Sequence, residues 1–429
     1  MKPDYAVPTM TEIEKLRGSN GYKVISTFSG CGGSCLGLEM AGYEVLYASE
    51  FVQEARETYA LNHPGVHIDP RDIRDVTPDN ILEITGLAVG EIDLLEGSPP
   101  CASFSTAGKR EQDWGKVKSY SETSQRADDL FFEYARLVEG LQPKAFVAEN
   151  VSGLIKGSAK GYFKMILAAL QDCGYQVEAK LLDSSWLGVP QVRKRLIFQG
   201  IRNDLNQKPR WPRPLDYRYT IRDACPWITN HGIKKKGFLK IEEANGNTAI
   251  ISIDKPSDTV TAGGLSGSSI HQAMIQPPAQ QALTAIQRTI KEESAAWYEW
   301  LVANGHPEAP SEEIDFVDIR NYAIGREWLR LRRGNQSSKY FNLVRADANQ
   351  PVGTITQTAG VTGAAGVTHP SEPRKFTIPE VRRLCSFPDD FELTGTFRQR
   401  WERLGRSVPP LMMRAVGSEI RNLLDETNE

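Results

Sequence analysis

Along the first 200 residues, short apolar runs alternate with stretches whose apolar positions recur every three or four residues. The apolar runs at 23–28, 43–47, 92–95, 145–148, 175–182 and 195–199 read as strands. Between them, 36–40, 51–62, 128–140 and 162–172 read as helices. In 128–140, Leu130, Phe131, Tyr134, Leu137 and Val138 share one face at helical spacing. Strands alternating with helices predict an α/β chain built on a doubly wound, mostly parallel, Rossmann-like sheet.

The rhythm fades near Leu205, where prolines and glycines become frequent. The irregular stretch is too long for a loop and predicts a second, smaller domain. Helical pattern returns at 378–385 and 411–424, which reads as a return to the first unit. The expected organisation is an extension at 1–21, a catalytic domain at 22–205, a second domain at 206–372 and a return at 373–429. One short pattern recurs: PSDTVT at 256–261 and PVGTIT at 351–356, each running towards glycine. Its plainest reading is a repeated strand and turn.

Charge and composition narrow the class. The 51 basic and 54 acidic side chains give 51 − 54 = −3. That excludes an overall basic coat but not a local basic cleft. Lys234, Lys235 and Lys236, and Arg330, Arg332 and Arg333, are the visible clusters. No window approaches the roughly 18 apolar residues of a membrane helix, and the N-terminal stretch has no apolar signal core, so no membrane association is expected. Six cysteines, none in a C-x-x-C pair, predict reduced thiols, no zinc site and a cytoplasmic setting.

The candidate chemistry lies where strands end. The first strand runs into Phe28-Ser29-Gly30-Cys31-Gly32-Gly33, a turn that lets a ligand approach the backbone. It is not a P-loop, because no Gly-Lys-Ser/Thr follows. Glu50 follows the second strand, where a carboxylate suits a ribose diol. Asp72 and Ile73 follow the third and could hold an adenine amine and ring face. The pattern favours a nucleoside cofactor without a pyrophosphate. Cys101 follows two prolines in GSPPCASFS, at the ligand-binding edge of such a sheet. Glu149-Asn150-Val151 ends another strand, so a thiol and a carboxylic acid can meet as nucleophile and proton donor. In QVRKR, alternation places Gln191, Arg193 and Arg195 on one face, where guanidinium groups suit phosphate or a polarised carbonyl. Singly, these have plainer readings: a tight turn, an inert small thiol, a charged strand edge.

In this order the pieces resemble the DNA (cytosine-5) methyltransferase family. The match runs through FSGCGG, Glu50, Asp72-Ile73, SPPCASFS, LFFEYARLV, ENV and QVRKR. It continues through RKFTIPE, LCSFPD and LGRSVPP, spanning nearly all of 22–425. The resemblance implies a class I AdoMet-dependent fold, with S-adenosyl-L-methionine as cofactor and double-stranded DNA as substrate. It implies that Cys101 adds to cytosine C6, that Glu149 serves N3, and that Asn150 steadies the loop. Arg193 would contact the cytosine carbonyl or the covalent intermediate, and Arg195 would support the loop. The cofactor would meet Phe28, Ser29, Gly30, Cys31, Gly32, Gly33, Glu50 and Phe51. Asp72, Ile73, Ser98, Pro100, Leu130, Ser407 and Val408 would complete that site. The family more often has Asn where this chain has Arg406, so no cofactor contact is assigned there. Ser105, Gln191, Thr354, Thr356 and Thr259 would face DNA, with the target base flipped out of the duplex. A monomer is expected, in a restriction-modification setting with a nuclease of the same site, or as an orphan or phage enzyme. The rivals are an RNA cytosine methyltransferase and a catalytically silent DNA-binding relative. Intact Pro-Cys and Glu-Asn-Val motifs oppose the second.

Overall fold

The computed structural model describes residues 2–100, 117–120, 123–126, 130–157, 159–228, 238–242, 248–252, 317–320, 322–361 and 363–428. Its first four strands are β1 (Lys23–Thr27), β2 (Glu44–Ser49), β3 (His67–Asp69) and β4 (Leu94–Gly97). A small antiparallel hairpin follows, β5 (Val117–Tyr120) with β6 (Thr123–Arg126). Then come β7 (Ala145–Val151), β8 (Tyr175–Asp183) and β9 (Lys194–Arg202). Seven strands form one sheet in the order β3-β2-β1-β4-β7-β9-β8. Pairs from β3 through β7 are parallel; β9 runs antiparallel to both neighbours. The predicted mostly parallel sheet is therefore present.

β1 and β4 are buried on both faces, which is why they read as unbroken apolar runs. Val24, Ile25, Leu94 and Leu95 are all inaccessible to solvent. On one face lie α4 (Pro78–Thr85), α5 (Leu130–Leu141) and α6 (Ala159–Asp172), joined to the sheet through Ile81, Leu137, Phe146 and Ile166. On the other lie α2 (Gly33–Met40) and the C-terminal helix Pro410–Asn428, joined through Leu38, Val24, Met412 and Ile420. These two helices touch at glycines. A Cβ on Gly37 would sit 2.4 Å from the Pro410 carbonyl, and one on Gly417 would sit 2.7 Å from Leu38 Cδ2.

A third core ignores the expected boundaries. It joins Ile13 of α1 (Met10–Leu16), Ile221 of α7 (Ile221–Ala224), Val352, Ile355, Phe376 and Trp401. Residues on both sides of 205 and 372 thus share one interior. A small separate core holds Ile319, Ile324 and Trp328 of α8 (Ala323–Trp328), and Leu343. Nearby, β12 (Val344–Arg345) pairs in parallel with β13 (Val367–Thr368); before them, β10 (Phe238–Glu242) and β11 (Thr248–Ser252) pair antiparallel. The last turns of the fold are α9 (Ile378–Leu384), α10 (Phe397–Arg406) and α11 (Pro410–Asn428). Thr377 with Glu380 and Thr396 with Gln399 close capping boxes on α9 and α10.

One boundary differs from the sequence expectation in a way that matters; the start of β9 agrees within a residue. β1 stops at Thr27, and Phe28 turns out of the strand at φ 53°. β9 starts at Lys194, so Gln191 and Arg193 precede it. The helices α3 (Gln53–Asn62) and α5 fall within three residues of the predicted ends. Among the described residues, no helix is long and apolar enough to cross a membrane.

Candidate active site

The strand order changes direction at β1 and β4, and there the carboxyl ends open a crevice. Thr27 pairs with Gly97, so the loops after β1 and β4 leave the sheet side by side. Between these loops, the end of β7 and α10 lies a cavity of about 530 Å³. That is the size range of small-molecule sites.

The β1 side is a sharply bent loop. Phe28, Gly30 and Gly32 all have positive φ, at 53°, 57° and 92°. For an aromatic residue this conformation is strained, and such strain persists where surrounding contacts impose it. Glu50 crosses to this loop and accepts hydrogen bonds from the Gly30 N–H at 2.8 Å and the Val52 N–H at 2.7 Å. Burial pushes its carboxyl pKa up. The C-terminal segment closes the loop from above. A Cβ on Gly33 would lie 2.5 Å from the Val408 carbonyl, so only glycine allows this approach. Ser407 Oγ lies 3.0 Å from Cys31 Sγ and donates to the Arg403 carbonyl at 2.6 Å. Phe28, Ser29, Gly30, Cys31, Gly33, Glu50, Phe51, Ile73, Ser407 and Val408 all line the cavity.

Three expected cofactor positions are placed differently. Gly32 is the turn itself, its Cβ direction blocked by His63 at 2.2 Å. Asp72 caps the short turn that follows it and pairs with Arg74 at 3.1 Å, outside the cavity lining. Leu130, the first residue of α5, is fully buried in the core.

The opposite wall carries the reactive groups. Ser98, Pro99 and Pro100 line it, as do Glu149 and Asn150 at the end of β7. Cys101 and Ser105 lie outside the described residues, as does Thr259. Asn150 Nδ2 donates to the Pro99 carbonyl at 3.2 Å, while its Oδ1 accepts from the Val151 N–H at 2.8 Å. Arg195 pairs with Glu149 at 2.5 Å, both side chains mostly buried.

The two arginines, expected on one face, both line the cavity, but with different partners. Arg193 was expected at the base and Arg195 behind it. Arg193 is instead 1% exposed, donating to the carbonyls of Ile355, Gly405 and Arg406 at 3.1, 2.9 and 2.9 Å. Burial, with the neighbouring Arg195 charge, lowers its pKa to about 9. Gln191, expected at DNA, is fully buried; it donates towards Cys385 Sγ and accepts from the Ile355 N–H at 3.1 Å. Both residues precede β9, and Gln191 forms a β-bridge with Val352. They hold 352–356 against the sheet, so that Thr354 and Thr356 reach the cavity. Thr354 Oγ1 donates to the Val192 carbonyl at 2.8 Å.

The sequence reading missed the α10 wall. Gln399, Glu402, Arg403, Gly405 and Arg406 line the cavity. The only signal was the LGRSVPP motif that ends this helix. Arg406 pairs with Glu402 at 2.6 Å.

The residues fit a nucleoside cofactor. An aromatic ring, an exposed-backbone loop and a carboxylate with lone pairs beyond its two backbone bonds face one cavity. A family model for C-5 cytosine-specific DNA methylases matches residues 22–422. The chain belongs to that family. It is therefore a cytosine C5 DNA methyltransferase. The Neisseria gonorrhoeae Type II methyltransferase M.NgoPII is 37% identical over 416 residues, covering 95% of this chain and 97% of that one. The Xanthomonas oryzae Type II methyltransferase M.XorII is 28% identical over 413 residues, covering 94% and 86%. Among solved structures, a prophage-encoded E. coli protein assigned as a DNA modification methyltransferase superposes with a TM-score of 0.61. It is 23% identical and covers 94% of this chain and 99% of its own, a likeness that shows the fold.

Proposed function

We propose that this chain transfers the methyl group of S-adenosyl-L-methionine to C5 of a cytosine flipped out of one short sequence in double-stranded DNA. One observation carries the reading. Glu149 with its Arg195 partner, and the Asn150-anchored Pro99-Pro100 segment that leads to Cys101, share a cavity with the bent loop and Glu50.

Glu50 would hold the ribose diol, Phe28 and Ile73 the adenine, and the Gly30 backbone the amino-acid part. When bound, the cofactor would supply an electrophilic methyl group and keep the electron pair of the broken S–CH3 bond as a neutral thioether. The Cys101 thiolate adds to cytosine C6, while Glu149 protonates or hydrogen-bonds N3 as charge builds on the ring. The ring then has nucleophilic character at C5. Once C5 carries the methyl, its proton leaves to water, the C6–S bond breaks, and Cys101 recovers its electron pair. Arg195, which pairs with Glu149, would orient it and meet the cytosine carbonyl. Arg193 positions the segment that bears Thr354 and Thr356. Residues within 206–372 supply sequence reading, and the phosphates are met by basic side chains such as Arg330 and Arg332. A monomer in the cytoplasm, beside a nuclease of the same site, completes the reading.

The test is bisulfite sequencing of plasmid DNA from cells expressing the chain, beside Cys101→Ala. Protected cytosines confined to one motif, and absent from the variant, are expected. Unprotected DNA despite soluble protein that binds S-adenosyl-L-methionine would overturn the DNA reading and send the same assay to cellular RNA.

A further inference from the structure

Beneath the cavity floor lies a carboxyl that the reaction above does not use. Glu96 stands in β4 and is 1% exposed. Its Oε2 accepts a hydrogen bond from Ser26 Oγ of β1 at 2.6 Å. Ser26 Oγ lies 2.8 Å from Ser29 Oγ in the bent loop, and Ser29 Oγ donates on to the Ser49 carbonyl at 3.3 Å. The other oxygen, Oε1, faces Ser98 Oγ at 3.4 Å. The Ser34 hydroxyl at the start of α2 bonds the carboxyl too. The Glu96 backbone carbonyl accepts from Thr27 Oγ1 at 3.1 Å. One side chain thus reaches, through hydroxyls, the loop after β1 and the stretch after β4. Ser29 and Ser98 both line the cavity, on its cofactor wall and its reactive wall.

A buried carboxyl is costly unless it is hydrogen-bonded, and a satisfied network fixes the groups it joins. We propose that Glu96 is a positioning residue that sets the cofactor loop and the approach to Cys101 as one unit. The inference rests on the methyltransferase reading. Removing the carboxyl frees Ser26 and Ser98 together, so both walls lose their common reference.

The surroundings make this unit responsive to protons. Facing Glu96 are the Ser26, Ser34 and Ser98 hydroxyls, Glu149 of β7 with its partner Arg195, and the Cys35 thiol of α2. The Tyr59 phenol of α3 and the Tyr134 phenol of α5 complete the set. Burial raises the Glu96 pKa to about 7. S-Adenosyl-L-methionine carries positive charge, so the ionised carboxyl favours its binding.

The experiment measures S-adenosyl-L-methionine affinity calorimetrically at pH 6 and pH 8, with kcat and KM on DNA. It uses the full chain, Glu96→Gln, Glu96→Ala and Ser26→Ala, each checked by thermal melting. Wild-type affinity is expected to rise roughly three- to tenfold between the two pH values. Glu96→Gln should bind with no such rise. Glu96→Ala should lose affinity and kcat about tenfold or more, with Gln restoring most of both. Ser26→Ala, which lies outside the cavity lining, should weaken binding several-fold. The inference is overturned if Glu96→Gln keeps the pH step, or if Ser26→Ala and Glu96→Ala bind and turn over as the wild type does. Should Glu96→Ala not fold, the Gln and Ser26 results decide. A wild type that binds with no pH step sinks this inference alone. One that binds with the step but leaves DNA unmethylated sinks the DNA reading alone, and one that binds nothing overturns both.

Discussion

Arg193 and Arg195 carry the same charge two positions apart, and the structure gives them unrelated work. Both line the cavity, where Arg195 pairs with Glu149. Arg193 is buried against three backbone carbonyls, where a planar fork of donors satisfies more acceptors than an ammonium would. Glu96 shows the same dependence on place. Its folded-state pKa of about 7 lies above the ordinary 4.5 because of burial. The folded chain therefore holds a proton that the unfolded chain has released. Stability is greatest below the unfolded value and is lost as pH rises through about 7. The contribution is on the order of 3 kcal/mol. Urea unfolding of wild type and Glu96→Gln at pH 5 and pH 8 should show a larger loss in the wild type; parallel losses would remove the assignment. Residue identity was legible where a motif carried it, as with Glu50 and Glu149. Glu96 was not, because a glutamate near a strand end reads like any solvated charge until β1, α2 and β7 close over it. The partners of the two arginines were not legible, because alternation puts both on one face and says nothing of the carbonyls of Ile355, Gly405 and Arg406 that close on Arg193.

At the scale of elements, the bent loop is held from behind as much as by its own glycines. α11 lies on α2, and the contact depends on Gly37 and Gly417 having no side chains. Replacing Gly37 with Val puts atoms where the Pro410 carbonyl and Met413 Cβ already are. A destabilisation of about 1–3 kcal/mol follows from overpacking, more if the helices separate. Chemical denaturation measures it, and cofactor affinity should fall too, since α2 carries the loop. Val at this position with unchanged stability would mean that the helices part without consequence. The strands of the sheet were readable because burial on both faces makes them continuously apolar. α4 was not, since Ile81 is its one buried residue and Pro78 with Thr77 gives only a local start. The α10 wall was hidden in a strongly charged stretch in which only Trp401, Arg403, Leu404 and Gly405 are buried.

Across the whole molecule, the expected second domain and the shared interior are not the same set of residues. Tyr219, Ile221, Val352 and Ile355 belong to a core with Ile378 and Trp401, whereas Ile319, Trp328 and Leu343 form their own. Exchanging 229–345 for the corresponding part of a relative should therefore move the methylated sequence and preserve melting temperature. Exchanging 206–372 should move it too, but at the cost of stability. Bisulfite patterns and thermal melts of the two chimaeras check both statements. Identical stability would show that the shared core matters little. Composition could not reveal this division, because proline- and glycine-rich texture marks irregular backbone rather than where a hydrophobic interior ends.

The helix that backs the bent loop is synthesised long after the loop itself. α2 emerges from the ribosome early, its apolar face shaped for a partner that does not yet exist. Until Pro410–Asn428 follows, Leu38 and its neighbours have no cover from that side, and the loop has nothing to close it. Translation thus imposes an order of events. A nascent or prematurely terminated chain holds the acidic and thiol groups of the reaction but not the finished cavity, so it is a client for chaperones before it is a catalyst. For a protein that methylates DNA, activity that waits for this helix confines modification to chains that have reached it.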